Sequence, residues 1–252
     1  MQHIFDLTGK IALVTGGSAG IGLGIARQLI DLNATVVITG RSADKLDEAQ
    51  TGLGNRCVAV VNDVTDKAGH RALVQRIETT IGPLSILVNN AGIHCKKPSI
   101  DTTDDEFQSV LDTNVLSVFA LTREVLGYMI PRGSGSVINI SSMSALFGLT
   151  QVVAYSSSKT ALLGMTRTLA SEYSHTGVRF NAVAPGFIES DMFLNIMDKD
   201  PARKAKILGR TPVGRFGQPA DIGKAVAFLA SEAADFITGV CLPVDGGNSI
   251  GF

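Results

Sequence analysis

Short apolar segments recur along the chain and alternate with longer segments in which apolar and polar residues mix. Each apolar segment is rich in Val, Ile and Leu and is bounded by turn-forming residues, which is typical of a buried strand. The segments between them are long enough for crossover helices, so the alternation predicts a parallel sheet with helices on both faces. The predicted strands lie at 10–15, 34–40, 58–63, 85–92, 136–142, 178–186 and 239–247.

Right-handed crossovers between parallel strands give a doubly wound sheet, in which ligands bind at the carboxyl edge of the strands. We therefore predict a single α/β domain that spans residues 1–252. The segment at about 187–217 interrupts the alternation and is rich in Met, Lys, Asp, Gly and Pro. We interpret it as a small helical lid that follows the sixth strand.

A glycine-rich turn connects the first predicted strand to a helical pattern that begins at Ile21. Glycines let backbone N–H groups approach a pyrophosphate closely, and the helix N-terminus adds positive potential. Strand, turn and helix together predict a dinucleotide-binding site of the Rossmann type. The predicted contacts in this turn are Gly16, Ser18, Gly20, Ile21 and Gly22.

Tyr155 and Lys159 stand four residues apart, which places a phenol and an ammonium on one face of a helix. A neighbouring positive charge favours the phenolate, so we expect Lys159 to lower the pKa of Tyr155. A tyrosine tuned in this way can exchange a proton with a carbonyl or an alcohol near neutral pH.

Composition narrows the class of protein further. The net charge of −1 and the absence of a basic run argue against nucleic acid as a partner. We expect no membrane segment and no signal peptide. The cysteines, Cys57, Cys95 and Cys241, are odd in number and widely spaced, so we predict a reducing, cytoplasmic location and no metal site.

Several motifs occur in the order of one known family. They are T-G-x-x-x-G-x-G at 15–22, N-N-A-G at 89–92, Asn114, Ser142, Tyr155 with Lys159, Pro185 with Gly186, and V-D-G-G at 244–247. With these motifs the sequence resembles the short-chain dehydrogenase/reductase family along nearly its whole length. The resemblance implies a Rossmann-like oxidoreductase that interconverts a secondary alcohol and a ketone with NAD(P).

The resemblance also assigns catalytic roles. It implies that Ser142 hydrogen-bonds the substrate oxygen, and that Tyr155 is the general acid in reduction and the base in oxidation. Lys159 would also hold the hydroxyls of the nicotinamide ribose. Asn114 would bind a water that extends the proton relay, although a buried packing amide is the alternative for this residue.

The remaining cofactor contacts follow from the same resemblance. Asp63 would contact the adenine, although it could also cap the following helix. Ser190 stands where the family carries Thr in P-G-x-x-x-T, and it keeps the hydroxyl that fixes the carboxamide. The implied contacts are Asp63, Val64, Asn90, Ala91, Gly92, Pro185, Gly186, Ile188 and Ser190.

The second strand indicates which cofactor is preferred. Sites selective for NAD place an Asp or Glu about twenty residues beyond the glycine turn, to bind the ribose 2′-hydroxyl. Here Gly40 stands at that position, and Arg41 and Ser42 follow. Since a guanidinium pairs with a 2′-phosphate, we predict a preference for NADP(H). NAD(H) remains possible if Arg41 is only a solvated surface charge.

The small-molecule substrate is less clearly marked. His94 and the pair Lys96 and Lys97 follow N-N-A-G, which resembles the gluconate 5-dehydrogenase branch of the family, and a cation there could hold a sugar-acid carboxylate. The alternative is that these are loop residues in solvent. The run 185–192 instead resembles the 3-oxoacyl-(acyl-carrier-protein) reductases, although Ser171 departs from the Arg that they tend to carry. A polyol dehydrogenase or carbonyl reductase of broad range is a third possibility.

The segments 111–129 and 152–170 carry apolar residues on more than one helical face. Such helices need a second surface for burial. The family resemblance implies that these helices pair across two-fold axes, so we expect a homotetramer.

Overall fold

Seven parallel strands form one sheet in the computed structural model, which describes residues 4–189, 193 and 198–251. The strand order is β3-β2-β1-β4-β5-β6-β7, so the direction of winding reverses between β1 and β4. The predicted doubly wound α/β fold is therefore confirmed. The strands are β1 (Ile11–Thr15), β2 (Thr35–Gly40), β3 (Cys57–Val61), β4 (Leu84–Asn89), β5 (Gly135–Ile140), β6 (Val178–Pro185) and β7 (Cys241–Val244).

Helices cover both faces of this sheet. The helices among the described residues are α1 (Gly20–Asp31), α2 (Ala43–Leu53), α3 (His70–Thr80), α4 (Asp104–Leu111), α5 (Ser117–Arg132), α6 (Val153–Tyr173), α7 (Pro201–Gly209) and α8 (Pro219–Ala230). Helices α1, α2 and α8 pack on one face, and α3, α5 and α6 pack on the other.

Alternation along β1 shows how the strands serve both layers. Ala12 and Val14 belong to the apolar cluster under α1, α2 and α8, whereas Ile11 and Leu13 belong to the cluster under α3, α5 and α6. Because successive side chains point to opposite faces, a strand buried on both sides must be apolar throughout. This explains the uninterrupted apolar runs in the sequence.

Local capping fixes where the site-bearing helices begin and end. A reciprocal capping box between Thr103 and Glu106 starts α4. A π-helical stretch, Asp112–Leu116, then joins α4 to α5, and it contains Asn114. Such stretches often mark functional sites. Gly133, at φ 71°, ends α5 in the left-handed conformation.

The segment expected to form a lid contains α7. On its N-terminal side, Ile188 forms a parallel bridge with Gly217. The Gly217 N–H donates to the Phe187 carbonyl at 2.9 Å, and the Glu189 N–H donates to the Gly217 carbonyl at 2.7 Å. The segment therefore begins and ends side by side beyond the carboxyl edge of the sheet.

Candidate functional site

The glycine turn between β1 and α1 presents free backbone donors. Helix α1 begins at Gly20, and no side chain caps its first N–H groups within this fully described segment. A Cβ on Gly22 would overlap the Gly16 carbonyl, so this turn needs a glycine there. Gly20 has φ +52°, and apart from its own turn of helix no described atom lies within 4 Å of where a Cβ would project. The turn can thus hold a pyrophosphate against the helix N-terminus.

A cleft of about 570 Å³ extends from this turn across the ends of β2, β3 and β4. It contains nine of the predicted cofactor residues: Gly16, Ser18, Arg41, Ser42, Asp63, Val64, Asn90, Ala91 and Gly92. Sequence reasoning missed others that also line it: Thr39, Gly40, Lys45, Asn62, Thr65, Ile93, Ser109 and Thr113. Lys45 could have been predicted from the sequence, because it is a second cation in the first turn of α2, which begins just after Arg41 and Ser42.

Unpartnered polar atoms in the cleft fit a bound adenosine. Thr39 Oγ1 and Asn62 Oδ1 are buried and have no hydrogen-bond partner among the described residues. Buried polar atoms normally have partners, so these two are suited to a polar ligand. The residues present therefore fit a dinucleotide.

Asp63 closes the turn that follows β3. Its carboxylate accepts hydrogen bonds from the Thr65 N–H at 2.9 Å and the Thr65 hydroxyl at 2.8 Å. These bonds lower the pKa of Asp63, and Arg41 lowers it further. The alternative role as a helix cap is wrong, because α3 begins only at His70 with Gly69 as its N-cap.

The N-N-A-G loop is held on β1 by Asn90. The Asn90 amide donates to the Thr15 carbonyl at 2.8 Å and to the Gly16 carbonyl at 3.1 Å. The Thr15 hydroxyl accepts from the N–H groups of Asn90 and Ala91, both at 3.0 Å. Asn90 lines the cleft as predicted, but its amide group holds the glycine turn against the loop.

Asn114 holds the other end of the same loop. Its side-chain oxygen accepts from the Ile93 N–H at 2.8 Å, while its amide donates to the Ile93 carbonyl at 2.9 Å and to the Ser158 hydroxyl at 3.0 Å. The residue is fully buried. Its side chain is thus the packing amide considered as an alternative, and the proposed bound water stays a prediction.

Ser142, Tyr155 and Lys159 meet at the end of β5. Ser142 is close enough to Tyr155 to lower the pKa of the phenol, and its hydroxyl accepts from the Ser144 N–H at 3.1 Å. The Lys159 ammonium donates to the Ile140 carbonyl at 2.8 Å and lies 5.7 Å from the centre of the Tyr155 ring. Ser141 turns the other way and donates to the Lys159 carbonyl.

Burial dominates the electrostatics of this cluster. Burial raises the pKa of Tyr155 above its usual value, and the hydrogen bond with Ser142 offsets this only in part. Burial also lowers the pKa of Lys159 to about 8. Loss of hydration therefore sets the direction of the net shift at Tyr155, and the predicted lowering of its pKa by Lys159 stays a prediction.

The segment after the N-N-A-G loop approaches the tyrosine from outside. The His94 ring packs on the Tyr155 ring with centroids 4.4 Å apart. The His94 side chain is exposed on its other side, but its loss of hydration on the packed side, then Lys96 and Lys159, lower its pKa, so the imidazole is neutral near pH 7. Lys96 is exposed and has no ion-pair partner among the described residues.

Lys97 does not share this environment. Its ammonium lies 2.6 Å from a Glu106 carboxylate oxygen, and its N–H donates to the Gln151 carbonyl at 2.9 Å. Lys97 therefore joins three segments around the cleft: its own loop, the start of α4 and the loop before α6. The cation left unpaired beside His94 is Lys96.

Pro185 and Gly186 leave β6 beside β7. The Gly186 N–H donates to the Val244 carbonyl at 3.1 Å, and a Cβ on Gly186 would lie 2.7 Å from the Asp245 Cα. This close approach explains the glycine. Ile188 follows two residues after Gly186 and forms a parallel bridge with Gly217. Ser190 lies outside the described residues.

Two features are absent from the described residues, 4–189, 193 and 198–251. They contain no group of three or more His, Cys, Asp or Glu side chains placed to hold a metal ion. None of their helices is long and apolar enough to cross a membrane.

The depressed pKa of Lys159 gives a measurable pH dependence of stability. Between pH 8 and 10.5 the unfolded lysine keeps its proton while the folded lysine loses it, so the free energy of unfolding rises with pH. We predict that wild type gains up to about 3 kcal/mol relative to Lys159→Met across this range. Urea unfolding of both proteins at several pH values measures the difference. Burial raises the pKa of Cys57 to about 11, but Cys57 is present in both proteins, so its titration cancels. A difference that does not change with pH would contradict the burial of a charged lysine.

Comparisons with known proteins agree with this geometry. A family model described as enoyl-(acyl carrier protein) reductase matches residues 16–249. Gluconate 5-dehydrogenase of Gluconobacter oxydans is 36% identical, with 99% of each chain covered. The 3-oxoacyl-(acyl-carrier-protein) reductase of Haemophilus influenzae is 39% identical, covering 96% of this chain and 98% of that protein.

A solved structure is similar along the whole chain. The gluconate 5-dehydrogenase of Burkholderia cenocepacia, in complex with NADP and tartrate, has a TM-score of 0.92 and 34% identity, with 99% of this chain and 98% of that chain covered. The range matched by the family model begins in the glycine turn and contains the N-N-A-G loop and the cluster of Ser142, Tyr155 and Lys159. The chain belongs to the short-chain dehydrogenase/reductase family of NAD(P)-dependent oxidoreductases.

Proposed function

We propose that this protein is an NADP(H)-dependent oxidoreductase that interconverts a ketone and a secondary alcohol on a sugar acid, such as 5-ketogluconate and gluconate. The proposal is carried by the neighbouring side chains of Ser142 and Tyr155 at the end of β5. The His94 ring packs on Tyr155, and Lys96, which has no ion-pair partner among the described residues, is close enough to lower the pKa of His94, so a cation lies near the same hydroxyls. The two hydroxyls suit a carbonyl oxygen, and the ammonium suits a carboxylate.

The charge at the end of β2 supports the choice of cofactor. Arg41 and Lys45 both line the cleft, and neither Asp nor Glu stands at Gly40. The Ser42 hydroxyl caps the Lys45 N–H, so α2 begins beside them and directs its N-terminus toward the same place. Two cations and a helix N-terminus favour a 2′-phosphate over a free hydroxyl. The similar structure that contains NADP agrees with this preference.

The proposed reaction uses the residues at the end of β5 as proton donor and anion stabiliser. Bound NADP(H) supplies or accepts the hydride at its nicotinamide ring. In reduction, Ser142 and Tyr155 donate hydrogen bonds to the carbonyl oxygen, and Tyr155 transfers its proton as negative charge develops there. The buried Lys159 ammonium then stabilises the phenolate that remains.

The raised pKa of Tyr155 makes the protonated phenol its resting state, which suits the reductive direction. Oxidation would require the phenolate as base, and Lys159 must be protonated to support it. Since the pKa of Lys159 is about 8, that support declines above this pH.

Lys96 and Lys97 make different contacts, so we propose different roles for them. Lys97 is already paired with Glu106, so it supports the shape of the substrate loop. Lys96 has no such partner among the described residues and is close enough to lower the pKa of His94, which packs on Tyr155. We assign the substrate carboxylate to Lys96, and a substrate hydroxyl to the neutral His94 ring.

A second candidate is reduction of a 3-oxoacyl group on an acyl carrier protein, favoured by the relative from Haemophilus influenzae. Binding an acidic carrier protein needs free cations near α5 and α6. Arg132, at the end of α5, instead makes two hydrogen bonds to Glu78 at 2.7 and 3.0 Å and a third to the Leu84 carbonyl. This engagement, together with Ser171, favours the sugar acid. A carbonyl reductase or polyol dehydrogenase of broad range remains the third candidate.

We also propose a homotetramer in the cytoplasm. An apolar groove of about 520 Å³ runs between α5 and α6, and Phe119, Leu126, Ile130, Leu169 and Tyr173 contribute to its walls. Leu116 and Phe119 leave 46% and 42% of their surface exposed on the same side of the molecule. A second copy would cover such an apolar face. Light scattering measures the mass, and a monomer would contradict the assembly.

Tyr155→Phe tests the proposed chemistry. The variant keeps the ring that packs against His94 but has no proton to transfer, so kcat should fall at least about 100-fold. NADPH binding, followed by nucleotide fluorescence, should be unchanged. A screen of ketogluconates, 3-oxoacyl thioesters and simple ketones with the wild type identifies the substrate class. Near-normal turnover by Tyr155→Phe would refute the assigned role.

Arg41→Ala tests the cofactor preference. Loss of a charge-assisted contact with the 2′-phosphate should weaken NADPH binding about ten- to hundredfold, while NADH binding changes little. Arg56→Ala is a matched control, because Arg56 is exposed and its guanidinium bonds to Asn33 outside the cleft. Equal losses for both nucleotides would place Arg41 outside the phosphate site.

Lys96→Ala tests the proposed carboxylate contact. KM for 5-ketogluconate should rise about tenfold, while KM for an uncharged ketone stays the same. Lys97→Ala is the comparison: loss of its pair with Glu106 should lower thermal stability without selecting against the acid. Equal effects of Lys96→Ala on both substrates would reject the contact.

A further inference from the structure

A buried histidine lies directly behind the adenosine end of the cleft. His70 is the first residue of α3, and its side chain is 0% exposed. Its Nε2 lies 3.1 Å from the Val64 carbonyl oxygen, so in the neutral ring Nε2–H is the donor of this hydrogen bond. The proposed chemistry makes no use of this residue.

The second nitrogen of the ring has no partner. His70 Nδ1 is buried, and no hydrogen-bonding atom of the described residues reaches it. A neutral ring tolerates this, because an unprotonated Nδ1 loses only an acceptor contact. A protonated ring would carry a second N–H with no acceptor, and a positive charge without hydration.

The carbonyl that His70 holds belongs to the loop at the cofactor cleft. Asp63, Val64 and Thr65 all line that cleft. The two bonds from Thr65 to the Asp63 carboxylate fix one side of this loop, and the bond from His70 fixes the other. We propose that His70 is a positioning residue for the adenosine subsite, and that its protonation at the unpartnered Nδ1 drives the ring out of this pocket, which frees Val64 and weakens cofactor binding.

The charged groups around His70 are few. Asp66 of the preceding loop and Glu124 of α5 favour its protonation, and Arg123 of α5 opposes it. Glu124 is paired with Arg71 at 3.2 Å, which reduces its influence on the ring. Burial exceeds all of these effects, so the pKa of His70 is lowered from its ordinary value.

The lowered pKa of His70 determines how cofactor affinity changes with pH. A base whose folded pKa lies below its unfolded value is neutral in the fold at pH 6.5 and above, where the loop is fully held. Protonation adds an N–H at Nδ1 and leaves the Nε2–H bond to Val64 intact. As pH falls, the charged ring can hydrate its new N–H only by leaving the buried site, and the bond to Val64 is lost with that movement. Cofactor affinity should therefore decline below about pH 6.5, the unperturbed pKa of histidine.

The experiment compares wild type with His70→Gln and His70→Leu. The Gln amide reaches as far as Nε2 and keeps a donor for Val64 without titrating, whereas Leu fills the space without a donor. Dissociation constants for NADPH and NADH are measured by nucleotide fluorescence from pH 7.5 to 5.0, and circular dichroism at each pH confirms folding.

For wild type we expect binding about five- to tenfold weaker at pH 5.0 than for His70→Gln, with equal affinities at pH 7.5. His70→Leu should bind weakly at both pH values, with kcat at saturating cofactor unchanged. The 2′-phosphate of NADPH also titrates in this range, but it affects all three proteins equally. NADH has no 2′-phosphate, so its binding isolates the effect of His70. Parallel pH profiles for wild type and His70→Gln would overturn the proposal, even if His70→Leu fails to fold.

This inference rests on the proposed cofactor site, and the two can fail separately. Absence of nucleotide binding by wild type at pH 7.5 would reject the cofactor site itself. Normal binding at pH 7.5 with no difference between wild type and His70→Gln at low pH would reject only the role of His70.

Discussion

The structure of the site depends on one buried charge, the ammonium of Lys159. It is 5% exposed and is held by the Ile140 carbonyl at the end of β5. A Cβ on Gly92 would lie only 3.5 Å from its nitrogen, so the N-N-A-G loop lies directly over it. Removing a cation from water is unfavourable, and the proposed role of the charge beside Tyr155 would account for its burial. The site is thus less stable than an apolar one of the same shape.

Two asparagines keep the loop over this charge in place. Asn90 ties the start of the loop to the Thr15 and Gly16 carbonyls, and Asn114 brackets Ile93 at its end. Asn114 lies in the π-helical stretch between α4 and α5, from which its side chain reaches the backbone of Ile93. Because the Asn90 amide donates at one end and the Asn114 amide both donates and accepts at the other, the loop is held on either side of Ala91 and Gly92.

Desolvation, more than charge pairing, sets the protonation states here. Burial is the largest influence on Tyr155, Lys159, His94 and His70, and in each case it favours the neutral form. The helical spacing of Tyr155 and Lys159 correctly indicated that the two groups are near one another. It gave no measure of how far both are removed from water, because that depends on β5 and on the N-N-A-G loop, which are distant in sequence.

The sequence by itself determined the parallel sheet, the glycine turn and the set of residues at the carboxyl edge, because strand periodicity, glycine conformation and the spacing of Tyr155 and Lys159 are local properties. Tertiary structure decided which of two adjacent lysines stays free, since Glu106 pairs with Lys97 across a loop. It also decided that His70 lies beneath Val64, with one nitrogen unpartnered. Hydrogen bonding and burial are set by groups that only folding brings together, so no pattern along the chain encodes them.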